Sequence, residues 1–217
     1  EVVQWLAEPD LAAGKLTLLA TPPGRGKSWV AMAALAAVAE GEDFVGAKTN
    51  GPAGALLVDE EMGVAELARR CHLLGCRSRR LRLLSRQGLC LSDERQATAL
   101  LKLCQDEDIG AVALDSCRRL LKGSEDDSET ADRFYAAVVP LLEAGIGVLL
   151  VHHVRKRGLT FTPGEMQRGS GHLVAQCDLY IEGSAAKAGM TLHWRKVRFG
   201  PEPDPVTIRV GESDSRI

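Results

Sequence analysis

The sequence predicts a doubly wound α/β fold: a mostly parallel sheet with helices on both faces and an antiparallel extension at its C-terminal end. Three observations carry that prediction. Short apolar runs at residues 16–20, 55–59, 111–115 and 147–152 lack the alternation of half-exposed strands, as parallel strands covered on both faces do. Longer segments of helical period lie between them, and strand alternating with helix is the signature of crossover connections in a parallel sheet. After residue 178 the pattern changes to three strand-like segments, 179–182, 190–195 and 206–210, joined by short turns.

The elements follow in order. Residues 16–20 form the first strand and the Ala-rich segment 29–40 a helix. Strand 55–59 leads to a helix over about 65–74, and 81–85 gives a short strand. A helix near 93–105 has Ser92 as its predicted N-cap. Strand 111–115 precedes a helix over about 130–144, in which Pro140 is the weak point, and strand 147–152 follows. Two stretches read as loops: 122–129, acidic and Ser-rich, and 155–169, basic and then Gly- and Pro-containing. With no internal repeat or low-complexity tract, a single domain over residues 1–217 is expected. Its first residue is Glu1 rather than Met, as in a domain cut from a longer protein.

Composition excludes several classes. At 45% hydrophobic and 26% charged residues the chain is neither disordered nor fibrous. No apolar run approaches the ~20 residues of a membrane-spanning helix, and the start is not a signal segment. A formal charge of −2 gives no overall basic field. The six cysteines form no C-x-x-C pair, so reduced, mostly buried thiols in a cytoplasmic protein are expected.

Thr21-Pro22-Pro23-Gly24-Arg25-Gly26-Lys27-Ser28 follows a strand and opens a helix, as a nucleotide phosphate site requires. Gly24 and Gly26 let backbone N–H groups turn inward, the helix N-terminus favours negative charge, Lys27 reaches the β- and γ-phosphates, and Ser28 ligates Mg²⁺. Pro23, Gly24, Arg25, Gly26, Lys27, Ser28 and Trp29 are therefore the candidate contacts of a bound ATP. The first position of the pattern is Thr21 where glycine is usual.

Two strands end in acids: Asp59-Glu60-Glu61 after one, Asp115-Ser116 after the other. In open α/β sheets the ligand crevice lies at the carboxyl ends of the strands, so these groups can meet Lys27 and Ser28. A single acid ending an apolar strand suits Mg²⁺ coordination, which assigns Asp115 with Ser28 to the metal. Glu61, or Glu60, is the candidate for activating water. Of the adjacent pair His152 and His153, which project to opposite faces, His153 is expected at the site.

Together these residues resemble the RecA-like ATPase superfamily, particularly the branch of the hexameric plasmid replication helicases of the RepA type. The resemblance rests on the phosphate loop, Leu57-Val58-Asp59-Glu60-Glu61-Met62, Ala113-Leu114-Asp115-Ser116 with the acidic segment 124–128, and Leu149-Leu150-Val151-His152-His153. It extends through Arg168-Gly169-Ser170-Gly171-His172, then Cys177-Asp178-Leu179, to Lys196-Val197-Arg198-Phe199-Gly200-Pro201. It implies Glu61 as catalytic glutamate with Glu60 as the alternative, Asp115 as the strand-end aspartate and His153 as a sensor of the γ-phosphate. It also implies that Lys196 and Arg198 enter the neighbouring subunit's site, where positive charge would meet the transition state.

The same resemblance places the loop that begins with Arg155-Lys156-Arg157 in a central channel that binds single-stranded DNA, and Arg118-Arg119 in a second channel-facing loop. Arg168 is open between a catalytic finger, a DNA contact and a structural bridge. The seven arginines between residues 69 and 86, with no acid among them, are open between a nucleic-acid surface and a solvated or subunit-contact face. The expectation is an ATP- and Mg²⁺-dependent motor acting on DNA, a homo-oligomer and by expectation a hexamer in the helicase class, with no membrane partner. A nucleotide switch in repair or signalling, without unwinding, is the alternative, and a small-molecule P-loop kinase a third.

Overall fold

The structure is a computed structural model that describes residues 3–44, 48–121, 128–153, 171–187 and 189–209. In chain order its elements are β1 (Trp5–Glu8), β2 (Leu11–Ala12), β3 (Leu16–Thr21), α1 (Lys27–Glu40), β4 (Lys48–Thr49), β5 (Gly54–Asp59), α2 (Val64–Leu73), β6 (Leu81–Ser85) and α3 (Glu94–Asp106). There follow β7 (Ile109–Asp115), α4 (Cys117–Leu120), α5 (Ser128–Glu143), β8 (Gly147–His153), α6 (Gly171–Gln176), β9 (Leu179–Ala186), β10 (Gly189–Val197) and β11 (Val206–Ile208).

The main sheet runs β11-β10-β9-β3-β8-β7-β5-β6. From β9 to β6 every neighbouring pair is parallel, and β10 and β11 add antiparallel strands at the C-terminal edge. The predicted doubly wound sheet and its antiparallel extension are therefore present. A second, three-stranded sheet, β2-β1-β4, has no counterpart among the elements expected from the sequence. Its strands are too short for a periodic signal.

Successive strand residues feed two cores. Leu18, Leu56, Val58, Leu114 and Leu150 pack under α3, α4, α5 and α6. Their neighbours Leu19, Leu57, Ala113 and Val151 pack under α1 and α2. Alanines on both sides of the second contact (Ala31, Ala34 and Ala39 on α1; Ala55, Ala111 and Ala113 on the sheet) let α1 approach the strands closely. That approach seats the residues at its first turn over the sheet.

One local expectation is corrected and one helix is borne out. Asp93, not Ser92, caps α3: its carboxylate accepts from the Arg95 N–H at 3.0 Å, the stronger acceptor at the position next to the helix. Pro140 does not break α5, which continues to Glu143. It lies in the last turn, where only one intrahelical donor is lost. The loop 155–169 and most of the 122–129 segment lie outside the described residues, except that Ser128 and Glu129 begin α5.

Register brings the strand ends together. Thr21 pairs with His153, Val151 with Asp115, and Asp115 with Asp59. The carboxyl ends of β3, β8, β7 and β5 thus form one row at a single edge of the sheet.

Candidate nucleotide site

At the end of β3 the chain turns into α1 through backbone that favours glycine. Gly24 (φ 72°) and Gly26 (φ 82°) are left-handed, a conformation glycine adopts without a steric cost. Gly26 directly precedes the first residue of α1, so the turn opens onto a helix N-terminus, where free N–H groups and the dipole attract an anion. A Cβ at Gly24 would meet no atom within 4 Å. The departure at Thr21 has a compensation: its methyl lies 2.5 Å from the place a Cβ on residue 183 would take, and residue 183, on β9, is glycine.

Lys27 is 5% exposed. Burial lowers its pKa, and the charges of Asp115 and Glu61 oppose that shift. Asp115, 1% exposed, is raised by burial, while Ser28 beside it and the charge of Lys27 favour its ionised form and Glu61 disfavours it. Neither Asp115 oxygen completes a hydrogen bond of ordinary geometry among the described residues. A buried carboxylate with open lone pairs next to a serine hydroxyl fits the oxygen chemistry of Mg²⁺, which takes few protein ligands and fills the rest with phosphate and water. Among the described residues, no three His, Cys, Asp or Glu side chains gather to hold a metal by themselves.

The three acids after β5 separate into different environments. Asp59 is fully buried. Its Oδ2 accepts from the Met62 N–H at 2.7 Å, and burial, against that bond, pushes its pKa up to about 6. Glu60 turns away and accepts from the N–H groups of Gln87, Gly88 and Leu89 at 3.1, 3.0 and 3.0 Å. Glu61 faces Lys27. Its Oε1 accepts from the Ser116 hydroxyl at 2.7 Å and lies 3.3 Å from His153 Nε2. Burial would raise the Glu61 carboxyl, but Ser116, His153 and Lys27 outweigh it and hold the group below its ordinary range.

The structure therefore brings Lys27, Ser28, Asp115, Glu61 and His153 together. His152, 4% exposed, belongs to the other face of β8, as strand alternation requires. Pro23, Gly24 and Arg25 are exposed on the loop. The Trp29 ring lies under the guanidinium groups of Arg70 (4.7 Å) and Arg69 (5.9 Å), both bound to Glu66, and so ties α1 to α2.

Lys196 and Arg198 stand elsewhere. Lys196 is opposite Tyr180, which is opposite Leu18, three residues and so ~10 Å down the strands from Thr21. Its Nζ donates to the Val174 and Ala175 carbonyls at 2.7 and 3.0 Å, and Arg198 donates to the Ala175 carbonyl and pairs with Asp178. Neither approaches the phosphate loop of its own chain. Arg155, Lys156, Arg157 and Arg168 lie outside the described residues, while Arg118 and Arg119 are exposed on α4.

Residues 1–158 match the family described as AAA domain. The chain belongs to that family. A comparison with curated proteins gives no match. Among solved structures, this AAA domain is similar to an ATPase domain, with a TM-score of 0.68 and 13% identity over 90% of this chain and 85% of that one. It is also similar to the RadB recombinase, with a TM-score of 0.64 and 19% identity over 93% and 90%. At these identities the likeness is one of fold, and the fold is that of RecA-like P-loop ATPases.

From the sequence, no role at this AAA domain's site is assigned to two residues that the structure places there, Ser116 and Arg86. Ser116 closes the motif 113–116, which by itself gives it no role beside Asp115. Arg86 is one arginine in a basic stretch, yet Nε and Nη2 of its guanidinium both donate to the Glu61 carbonyl, at 3.2 and 2.7 Å. A serine beside a strand-end acid is a weak signal; an arginine recruited from 25 residues away gives none.

Proposed function

We propose that this AAA domain, reading residues 1–217 as one unit, is the ATP-hydrolysing motor of a ring-forming, replicative-type DNA helicase that moves along single-stranded DNA. The observation that carries the hydrolytic part is the meeting of Lys27 with a Glu61 carboxylate kept ionised by Ser116 and His153. Lys27 and the N–H groups of the turn would bind the triphosphate. Ser28 and Asp115 would hold Mg²⁺, which when bound neutralises charge on the phosphoryl oxygens. Glu61 would orient a water and draw its proton, since an ionised carboxylate can accept one. His153 contacts Glu61 from the end of β8, shortly before the basic residues Arg155, Lys156 and Arg157, so a change at the phosphate end would reach a DNA-contacting segment through one strand terminus.

Lys196 and Arg198 support oligomerisation. They lie too far from their own loop to act there, Lys196 on β10 and Arg198 just past its end, so a catalytic role requires a second copy. The likeness to a recombinase favours a second reading, in which nucleotide turnover switches an assembly in repair without unwinding.

Phosphate release measured with and without single-stranded DNA, together with strand displacement on a tailed duplex, separates these readings. Hydrolysis stimulated by DNA and accompanied by displacement is the expected result; stimulation without displacement would favour the switch. Lys27→Ala should abolish hydrolysis, and full activity in that variant would overturn both.

A further inference from the structure

Besides the Ser116 and His153 contacts to its carboxylate and the Glu60 N–H bond to the Asp115 carbonyl, the stretch that carries Glu61 is held by one segment, 85–89. Arg86 donates its own N–H to the Asp59 carbonyl at 2.8 Å and its guanidinium to the Glu61 carbonyl. Ser85 donates its hydroxyl to the Met62 carbonyl at 2.8 Å. The next three N–H groups converge on the Glu60 carboxylate, Gln87 and Leu89 on Oε1 and Gly88 on Oε2. Left-handed backbone at Arg86 (φ 51°) and Gly88 (φ 68°) turns those N–H groups to one side. Successive N–H groups in such a concavity form an anion site, and here a neighbouring side chain fills it.

Every residue from Asp59 to Met62 is thus bound by the segment 85–89. The last ladder bonds are those of the Glu60 N–H to the Asp115 carbonyl (3.0 Å) and of the Arg86 N–H to the Asp59 carbonyl; past them, the bonds from 85–89 fix the backbone that carries Glu61. Two of the groups involved are charged, and charge-assisted hydrogen bonds are the stronger ones.

We propose that the turn 85–89 is a positioning clamp for Glu61, in which Glu60 is the anchor and Arg86 the tether. The proposal rests on the reading of Glu61 as the carboxylate that orients water. It gives Glu60 a function that excludes it as the base, and removes Arg86 from any nucleic-acid surface. Neither residue touches the nucleotide in this scheme; both act through the position of Glu61. Catalytic geometry is sensitive to such support, since a misplacement of ~1 Å can cost a rate on the order of 100-fold.

The test compares Arg86→Ala, Arg86→Lys and Glu60→Gln with Glu61→Gln and with Arg82→Ala, an exposed arginine of the same stretch paired to Glu107. Steady-state hydrolysis is measured across pH, and amide hydrogen exchange is followed over residues 59–63 and over α1. Arg86→Ala and Glu60→Gln should lower kcat by about 10- to 100-fold while KM for ATP stays within about twofold, because Lys27 and its loop are untouched. The acid limb of their pH profiles should move to higher pH as Glu61 drifts from the groups that keep it ionised. Exchange should rise over 59–63 and not over α1, Arg86→Lys should recover part of kcat, and Arg82→Ala should match the parent.

Wild-type kcat, acid limb and exchange in both Arg86→Ala and Glu60→Gln would overturn the clamp. So would a loss accompanied by faster exchange throughout α1, which would mark general damage. Full activity in Glu61→Gln would instead overturn the role given to Glu61, and the exchange measurement would still decide whether the turn holds residues 59–63.

Discussion

Asp10 shows how one side chain can set a pH dependence far from the nucleotide site. It is buried in the turn between β1 and β2, where its Oδ1 accepts from the Trp194 indole N–H at 2.9 Å and its carbonyl from the Thr17 hydroxyl at 2.8 Å. Burial, opposed by the Trp194 bond, pushes its pKa up to about 7 from 3.8. Below 3.8 both folded and unfolded chains hold the proton, and no stability is lost. Between 3.8 and 7 the unfolded chain gives it up first, so stability falls as pH rises and levels off once both are ionised. The melting temperature of Asp10→Asn should therefore improve relative to the parent as pH rises from about 4 to about 8. The span of the shift corresponds to a contribution on the order of 4 kcal/mol. A difference between the two proteins that does not change with pH would show that Asp10 stays ionised when folded.

At the scale of elements, close approach rather than propensity decides the register of the strands that carry the acids. Gly54 begins β5, where a Cβ would stand 2.1 Å from the Asp108 carbonyl oxygen, and the β5–β7 pairing shifts register at that point. The same pairing sets Asp59 opposite Asp115. A side chain at 54 must push the start of β7 away, and Gly54→Ala should cost about 1–3 kcal/mol in urea unfolding. Gly200→Ala, where a Cβ meets nothing within 4 Å, should change stability by less than ~0.5 kcal/mol. Equal effects would mean that the strand start relaxes freely.

For the whole molecule, the separation of Lys196 and Arg198 from their own phosphate loop matters most. Under the proposed function, Arg198→Ala should bind nucleotide as the parent does and lose turnover, and the specific activity of the parent should rise with protein concentration. Mixing Arg198→Ala with Glu61→Gln should restore partial hydrolysis, because a subunit with an intact Glu61 can then border one with an intact Arg198. Hydrolysis by a monodisperse monomer, or no recovery on mixing, would count against a shared site. In the isolated chain both basic groups bind carbonyls at the end of α6, so insertion into a neighbour must exchange those bonds for others. Among the described residues no helix is long and apolar enough to cross a membrane.

What the sequence determined by itself was whatever short-range chemistry records. Apolar runs too short for a helix and set between helical segments read as strands covered on both faces, which placed β3, β5, β7 and β8 to within about two residues at each end. The spacing of Gly24, Gly26, Lys27 and Ser28 marked the phosphate loop, and strand alternation separated His153 from His152. Tertiary structure decided what depends on partners distant in the chain. Glu60 and Glu61 are identical residues side by side, and only the N–H groups of 87–89 and the hydroxyl of Ser116 send one away and hold the other at Lys27. The tolerance of Thr21 was equally hidden, since it depends on Gly183, far along the chain on β9. A local pattern carries the covalent geometry and hydrophobicity of its own residues. The direction in which a charged side chain turns is set by whichever donors the fold happens to bring beside it.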